Sequence, residues 1–172
     1  MPNWVTNTIY LEGIGKKEEY YRTCVNDDGT ETKAFDFNVF VPEPKTEEEC
    51  RSMYDGDRYI DGVDKNGNSK NHLMHRDDRK WFNWFDWHND FWGTKWNACD
   101  TKILDDDSVR FDTAWGEPCP IFRELSKRHP GVVIDIFCDF EMGESYEIKY
   151  LNGERIDWQN VTLNFNERSE EE

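Results

Sequence analysis

The residues best suited to chemistry lie between Trp92 and Trp115: Trp92, Thr94, Lys95 and Trp96 in one run, Thr113 and Trp115 in another. An ammonium flanked by indoles makes cation–π contacts, and with a threonine hydroxyl beside it can hold an anion. Such a cluster would enclose a small molecule or nucleotide in an aromatic pocket. The plainer and preferred reading makes Trp96 and Trp115 core anchors, with the Lys95 stem passing beside them. His72 and His75, near Asp77 and Asp78, have the i, i+3 spacing of metal ligands. Without the glutamate of an HExxH motif, they read instead as a solvated charged turn. His88 falls on an apolar helical face, where a hydrogen-bonded core histidine is expected. Asp105, Asp106 and Asp107 form an acidic turn that discourages edge pairing.

No constellation for catalysis stands out. With 37 acidic residues, carboxylate pairs are inevitable and none is distinguished. There is no Gly-rich phosphate loop, no GxSxG, and no cysteine in a nucleophile context. The expectation is a non-enzymatic protein without catalytic residues, cofactor or metal.

The elements that must position these residues are held together by aromatic rings. Hydrophobic residues make up 36% of the 172 and mean hydropathy is -0.97, values that suggest disorder until the 15% aromatic content is counted. Each ring buries a large area, so a few build a core that scarce aliphatics cannot. On a helix, Trp81, Trp84, Phe85, Trp87, His88, Phe91 and Trp92 share one arc, opposite Asn83, Asp86, Asn89 and Asp90. Phe82 falls on the polar side, and Gly93 supplies the left-handed cap. A hairpin follows, Lys95 to Leu104 returning through the three aspartates into Ser108 to Trp115, where Val109, Phe111, Thr113 and Trp115 alternate with polar residues.

Elsewhere, alternation predicts strands at residues 4–12, with Asn7 facing the core, and at Phe35 to Val41. Short helices are expected over Lys16 to Val25, from an N-cap at Thr46 to about Tyr54, and from Pro120 to Arg128 with Ile121, Phe122 and Leu125 inward. Val132 to Phe140 reads as a central strand covered on both faces, and Ser145 to Leu151 as its neighbour. Asn152-Gly153 turns the chain, and Val161, Leu163 and Phe165 supply a last edge strand. Together these give an α+β fold, an antiparallel sheet with helices on one face. A single domain over residues 1–166 is expected, with an insertion at about 45–92 and an acidic tail at 167–172. Within the insertion, Asp55 to Asn71 reads as an exposed segment without periodicity.

Several segments resemble one family. The opening Met1 to Asn7, the stretch Phe35 to Pro44, Trp-Gly-Thr-Lys-Trp-Asn-Ala at Trp92 to Ala98, and Phe111 to Pro120 carry the likeness, with Glu124 to Pro130 and Tyr150 to Glu154. They are similar, in the same order, to the Api92-like proteins with a YubB-type ferredoxin-like domain. Phe91 and Gly116-Glu117 depart from the family pattern. The resemblance implies a βαββαβ ferredoxin-like fold and a bacteriophage, prophage or plasmid setting. It implies no agreed activity. It implies no iron–sulfur cluster either, since the five cysteines lack cluster spacing.

The charge bounds the partners. A net charge of -16 repels phosphate backbones and anionic membranes, so no direct nucleic-acid or membrane binding is expected. The five cysteines are odd in number and never CxxC, which fits small buried hydrophobes. No run of 18 apolar residues and no leader-like N-terminus is present, so a protein of the host bacterial cytoplasm is expected, monomeric or homodimeric. The function that follows is an acidic mobile-element protein that binds a protein partner. That partner is a basic nucleic-acid-binding host protein if the acids mimic nucleic acid.

Overall fold

The computed structural model describes residues 3–15, 17–54, 79 and 81–162. A six-stranded antiparallel sheet organises it, built from β1 (Trp4–Tyr10), β4 (Cys99–Asp105), β5 (Ser108–Ala114), β6 (Ile134–Phe140), β7 (Ser145–Leu151) and β8 (Glu154–Asn160). The strand order is β4-β5-β1-β6-β7-β8. Helix α1 (Glu47–Met53) and helix α2 (Trp84–Phe91) lie in the connection from β1 to β4, and α3 (Cys119–Arg128) joins β5 to β6. Strands β1 and β4 therefore flank β5, while β5 and β6 flank β1. These are two interlocked split β-α-β units, the βαββαβ ferredoxin-like arrangement that the resemblance implies. The strands β7 and β8 extend it on the β6 side.

Alternation decides which face is buried. Val5, Asn7 and Ile9 of β1 and Val109, Phe111 and Thr113 of β5 are 0–1% exposed, and their neighbours turn the other way. Asn7 is the polar member of that face, as its position predicts. Its Nδ2 donates to Val5 O (3.1 Å) and Thr113 Oγ1 (2.9 Å), and its Oδ1 accepts from Cys138 Sγ (3.3 Å). A buried amide satisfied on both ends pins three neighbouring strands together. Over this face pack α3 and the stretch that carries Phe35 and Phe37, with Phe35 stacked on Phe111 (5.0 Å, 7°) and Phe122 against Tyr150 (6.1 Å).

Several elements form as their local chemistry dictates. Thr46 caps α1 by accepting Glu49 N–H, and α3 buries Ile121, Phe122 and Leu125 behind a proline in its first turn. Gly93 ends α2 at φ 76, where an added Cβ would meet Pro120 Cδ at 3.2 Å. Asn152 and Gly153, both at positive φ, make the two-residue turn into β8.

Other expectations are corrected. Lys16 to Val25 is no helix: after a 3-10 turn at Glu18–Tyr20, β2 (Tyr21–Val25) pairs with β3 (Glu31–Phe35). The Asn-Asp-Asp-Gly cluster that looked like a helix stop is the hairpin turn, closed by Asn26 N–H to Thr30 O at 2.8 Å. The expected strand at Phe35 to Val41 ends at Phe35. Asp36 then caps a 3-10 turn over Phe37–Val39, which lets Phe35, Phe37 and Phe40 all enter the core.

Strand β6 alternates, with Ile134, Ile136 and Cys138 buried on one face and Asp135, Phe137 and Asp139 less buried on the other. The last edge strand among the described residues is Glu154–Asn160, formed because the tight turn returns the chain at once. Val161 is buried beyond its end, and Leu163 and Phe165 lie outside the described residues. Phe82 is 1% exposed: it precedes the helix, which starts at an Asn83 cap, so the helical wheel does not govern it. The segment Asp55 to Asn71 and the tail 167–172 also lie outside the described residues.

Candidate functional site

The six residues singled out around the Trp92–Trp96 and Thr113–Trp115 runs divide into an inner and an outer set. Trp92, Thr94 and Thr113 are 0–1% exposed. Trp92 Nε1 donates to Val41 O at 2.8 Å, Thr94 Oγ1 to Trp96 O at 2.6 Å, and Thr113 Oγ1 to Gly116 O at 2.7 Å. These polar atoms are spent holding the loops together. Lys95, Trp96 and Trp115 form the outer set. The Lys95 Nζ lies 4.5 Å from the Trp96 ring centroid and 5.0 Å from that of Trp115, the cation–π arrangement their spacing suggests.

Trp115 departs from the core-anchor reading, being 47% exposed. The chain leaves β5 there in the left-handed region, at φ 78, which swings the indole outward. The Trp115 backbone N–H still donates to Asn3 O (2.8 Å), and the indole ring meets Phe85 edge-on at 5.5 Å. Trp96 in turn lies 6.0 Å from Trp4. An aromatic row with one ammonium in it, Trp4, Trp96, Lys95, Trp115 and Phe85, thus crosses one end of the sheet. The membership of Trp4 was not foreseen, since it comes from the far end of the sequence.

Behind this row lies His88, 8% exposed and stacked on Trp92 at 4.1 Å and 16°. Its Nδ1 is 2.7 Å from Lys95 O and its Nε2 is 2.5 Å from Glu43 Oε1. A carbonyl only accepts, so Nδ1 carries a proton. The histidine is a hydrogen-bonded core residue, as its helical position predicts, and it ties α2 to the loop bearing Lys95. Glu43 also borders a groove of about 860 Å³ between the Pro42–Thr46 turn and α1, lined by Pro44, Glu49 and Met53.

The face of the sheet away from the helices carries charge. Its register sets Asp112, Thr6 and Asp139 side by side across β5, β1 and β6. Thr6 Oγ1 donates to Asp112 Oδ1 (2.8 Å) and Ser145 Oγ to Asp139 Oδ1 (2.7 Å). Asp135, Glu147 and Asp157 add carboxylates, Lys102, Arg110 and Lys149 add cations, and Lys149 pairs with Asp135 at 2.8 Å. At the β4–β5 turn, Asp105, Asp106 and Asp107 are exposed. The Asp107 N–H and Ser108 hydroxyl bond Asp105 and hold its carboxyl below the usual range, so that aspartate shapes the turn.

All five cysteines are free, and burial pushes the thiols of Cys50, Cys99, Cys119 and Cys138 up, away from the reactive thiolate. His72, His75, Asp77 and Asp78 lie outside the described residues. Among the described residues no group of three or more His, Cys, Asp or Glu could hold a metal, and no helix is long and apolar enough to cross a membrane.

Two clamps escaped the sequence reading because nothing in local spacing marks them. Arg22 reaches Phe35 O (2.9 Å) and Ala98 O (3.1 Å), and Asn97 accepts Phe37 N–H at 2.9 Å while donating to Asp36. They fasten the β2–β3 hairpin to the edge at β4.

Comparison with known proteins bears on the C-terminal part of the chain. Residues 91–172 match the family described as ferredoxin-like domain in Api92-like protein, in agreement with the motif resemblance. No match was found among curated proteins or among solved structures.

Proposed function

We propose, from the premise that residues 91–172 carry an Api92-like ferredoxin-like domain, that this is a non-enzymatic binding protein of a phage or other mobile element. Its partner is a positively charged protein, and the acidic surface acts as a nucleic-acid mimic that occupies the basic groove of a host defence or DNA-handling enzyme. One observation carries the reading. Among the described residues the six-stranded sheet leaves one face free of helices, and on it the Asp112 and Asp139 carboxylates are fixed by hydroxyl donors on neighbouring strands. Carboxylates held on rigid strands lose little freedom on meeting a cationic groove, which favours binding over mere solubility. The net charge of -16 steers such an encounter.

The test is capture of basic nucleic-acid-binding enzymes from a bacterial lysate, followed by salt titration of each purified complex. An affinity that drops about tenfold or more between 50 and 200 mM salt is expected, because the contacts are charge–charge. Binding insensitive to salt, or none to such enzymes, contradicts the proposal.

A further inference from the structure

The geometry points to a binding site for a small planar anion, an aromatic ring bearing a phosphate or carboxylate, on the outer side of Lys95 and Trp115. Two observations meet there. The first is an ammonium without a counter-charge: in a chain with 37 acidic residues, Lys95 Nζ contacts two indole rings and, among the described residues, no carboxylate. Lys127 and Lys149, by contrast, each hold an acidic side chain within 2.8 Å. The indole faces orient Lys95 without neutralising it, so its N–H donors stay available to an anion.

The second observation is the backbone at Trp115. Among the described residues, the other non-glycine residues at positive φ are Asp100 and Asn152, types whose short polar side chains tolerate that region. A tryptophan there is strained, and strain of this kind collects at ligand sites. Its effect is to hold Trp115, 47% exposed, with its indole beside the ammonium; Phe85 meets the ring and the Asn3 carbonyl accepts the backbone N–H. A flat ring can lie on that indole while its anionic group reaches Nζ. The site is open on the surface, so weak affinity is expected. The acidic surroundings do not forbid it, since at 0.15 M salt charges beyond about 8 Å are screened. The inference stands apart from the proposed protein partner, because a small anion needs neither the free sheet face nor a basic groove.

Adenosine monophosphate is the probe, titrated into the full chain at 0.15 M salt and followed by tryptophan fluorescence and calorimetry, with adenosine, inorganic phosphate and 2-naphthoate alongside. Saturable quenching by the nucleotide is expected, with adenosine and phosphate each at least tenfold weaker. Quenching by 2-naphthoate as well would identify the shared planar-anion chemistry, whereas a response confined to the nucleotide would assign the site to phosphate. Lys95→Met, which keeps the stem between the indoles but removes the charge, is expected to abolish binding without lowering Tm. Trp115→Asn, which suits the left-handed backbone, should abolish it too. Failure of the nucleotide and 2-naphthoate both to bind, binding as strong by adenosine, or unchanged binding in Lys95→Met overturns the proposal.

Discussion

His129 shows how a single side chain couples the helical layer to pH. It caps α3, and its Nε2 lies 2.6 Å from the Tyr20 hydroxyl. Burial keeps the Tyr20 phenol neutral and so a donor, and His129 accepts as the neutral ring. Desolvation first, then the nearby Lys17 and Arg128 charges, hold the imidazole below its ordinary pKa of 6.5. The unfolded state therefore binds the proton more readily than the folded one. The stabilisation is complete above pH 6.5 and lost as pH falls through the lower folded value. Chemical denaturation of His129→Gln, which keeps an acceptor but cannot titrate, should show a shallower loss of stability between pH 7 and 5 than the parent. Equal slopes would mean that the pair does not sense pH. The helix end at Arg128, just before His129, was legible in the sequence, but the histidine's partner was not, because Tyr20 lies 109 positions away.

At the scale of elements, β1 is the strand on which the fold turns. It lies between β5 and β6, which are neighbours in sequence but not in the sheet. The family match begins at residue 91, so it omits this strand although the sheet is continuous through it. A fragment of residues 91–172 would leave seven residues of β5 and six of β6 unpaired along those edges. It should show no cooperative melting and little near-ultraviolet circular dichroism, whereas the full chain melts in one transition. A sharply melting fragment would show that β5 and β6 can join without β1. Elements with a strong local signature were legible: β1 by alternation, α1 by its Thr46 cap, α3 by its proline and apolar stripe. The region from Lys16 to Val41 was not, because Tyr20, Tyr21 and Cys24 fit helical and strand spacing alike. Phe37 and Phe40 are likewise drawn inward by tertiary packing rather than by local alternation. Of the aromatic row, Lys95, Trp96 and Trp115 were legible as a group, yet the exposure of Trp115 was not, since a left-handed tryptophan contradicts the local preference that a reader must assume.

For the whole molecule, cohesion and charge are separated in space. Rings fill one side of the sheet, with Phe35, Phe37, Phe82, Trp87, Trp92, Phe111 and Phe122 all at most 1% exposed. The other side carries hydroxyls, carboxylates and a few cations around Phe137. The charge of -16 was plain from composition, but which carboxylates are held rigid depends on strand register, which composition does not contain. The central claim is that those fixed carboxylates take the place of phosphates. The most direct measurement is competition: a basic DNA-binding enzyme captured by the chain is titrated with duplex DNA, using the parent and an Asp112→Asn/Asp139→Asn variant of unchanged Tm. Mutually exclusive binding by DNA and the parent is predicted, with the variant weakened by about tenfold, as expected when two charged contacts are lost. Simultaneous binding of DNA and the chain, or a variant as tight as the parent, would contradict the account.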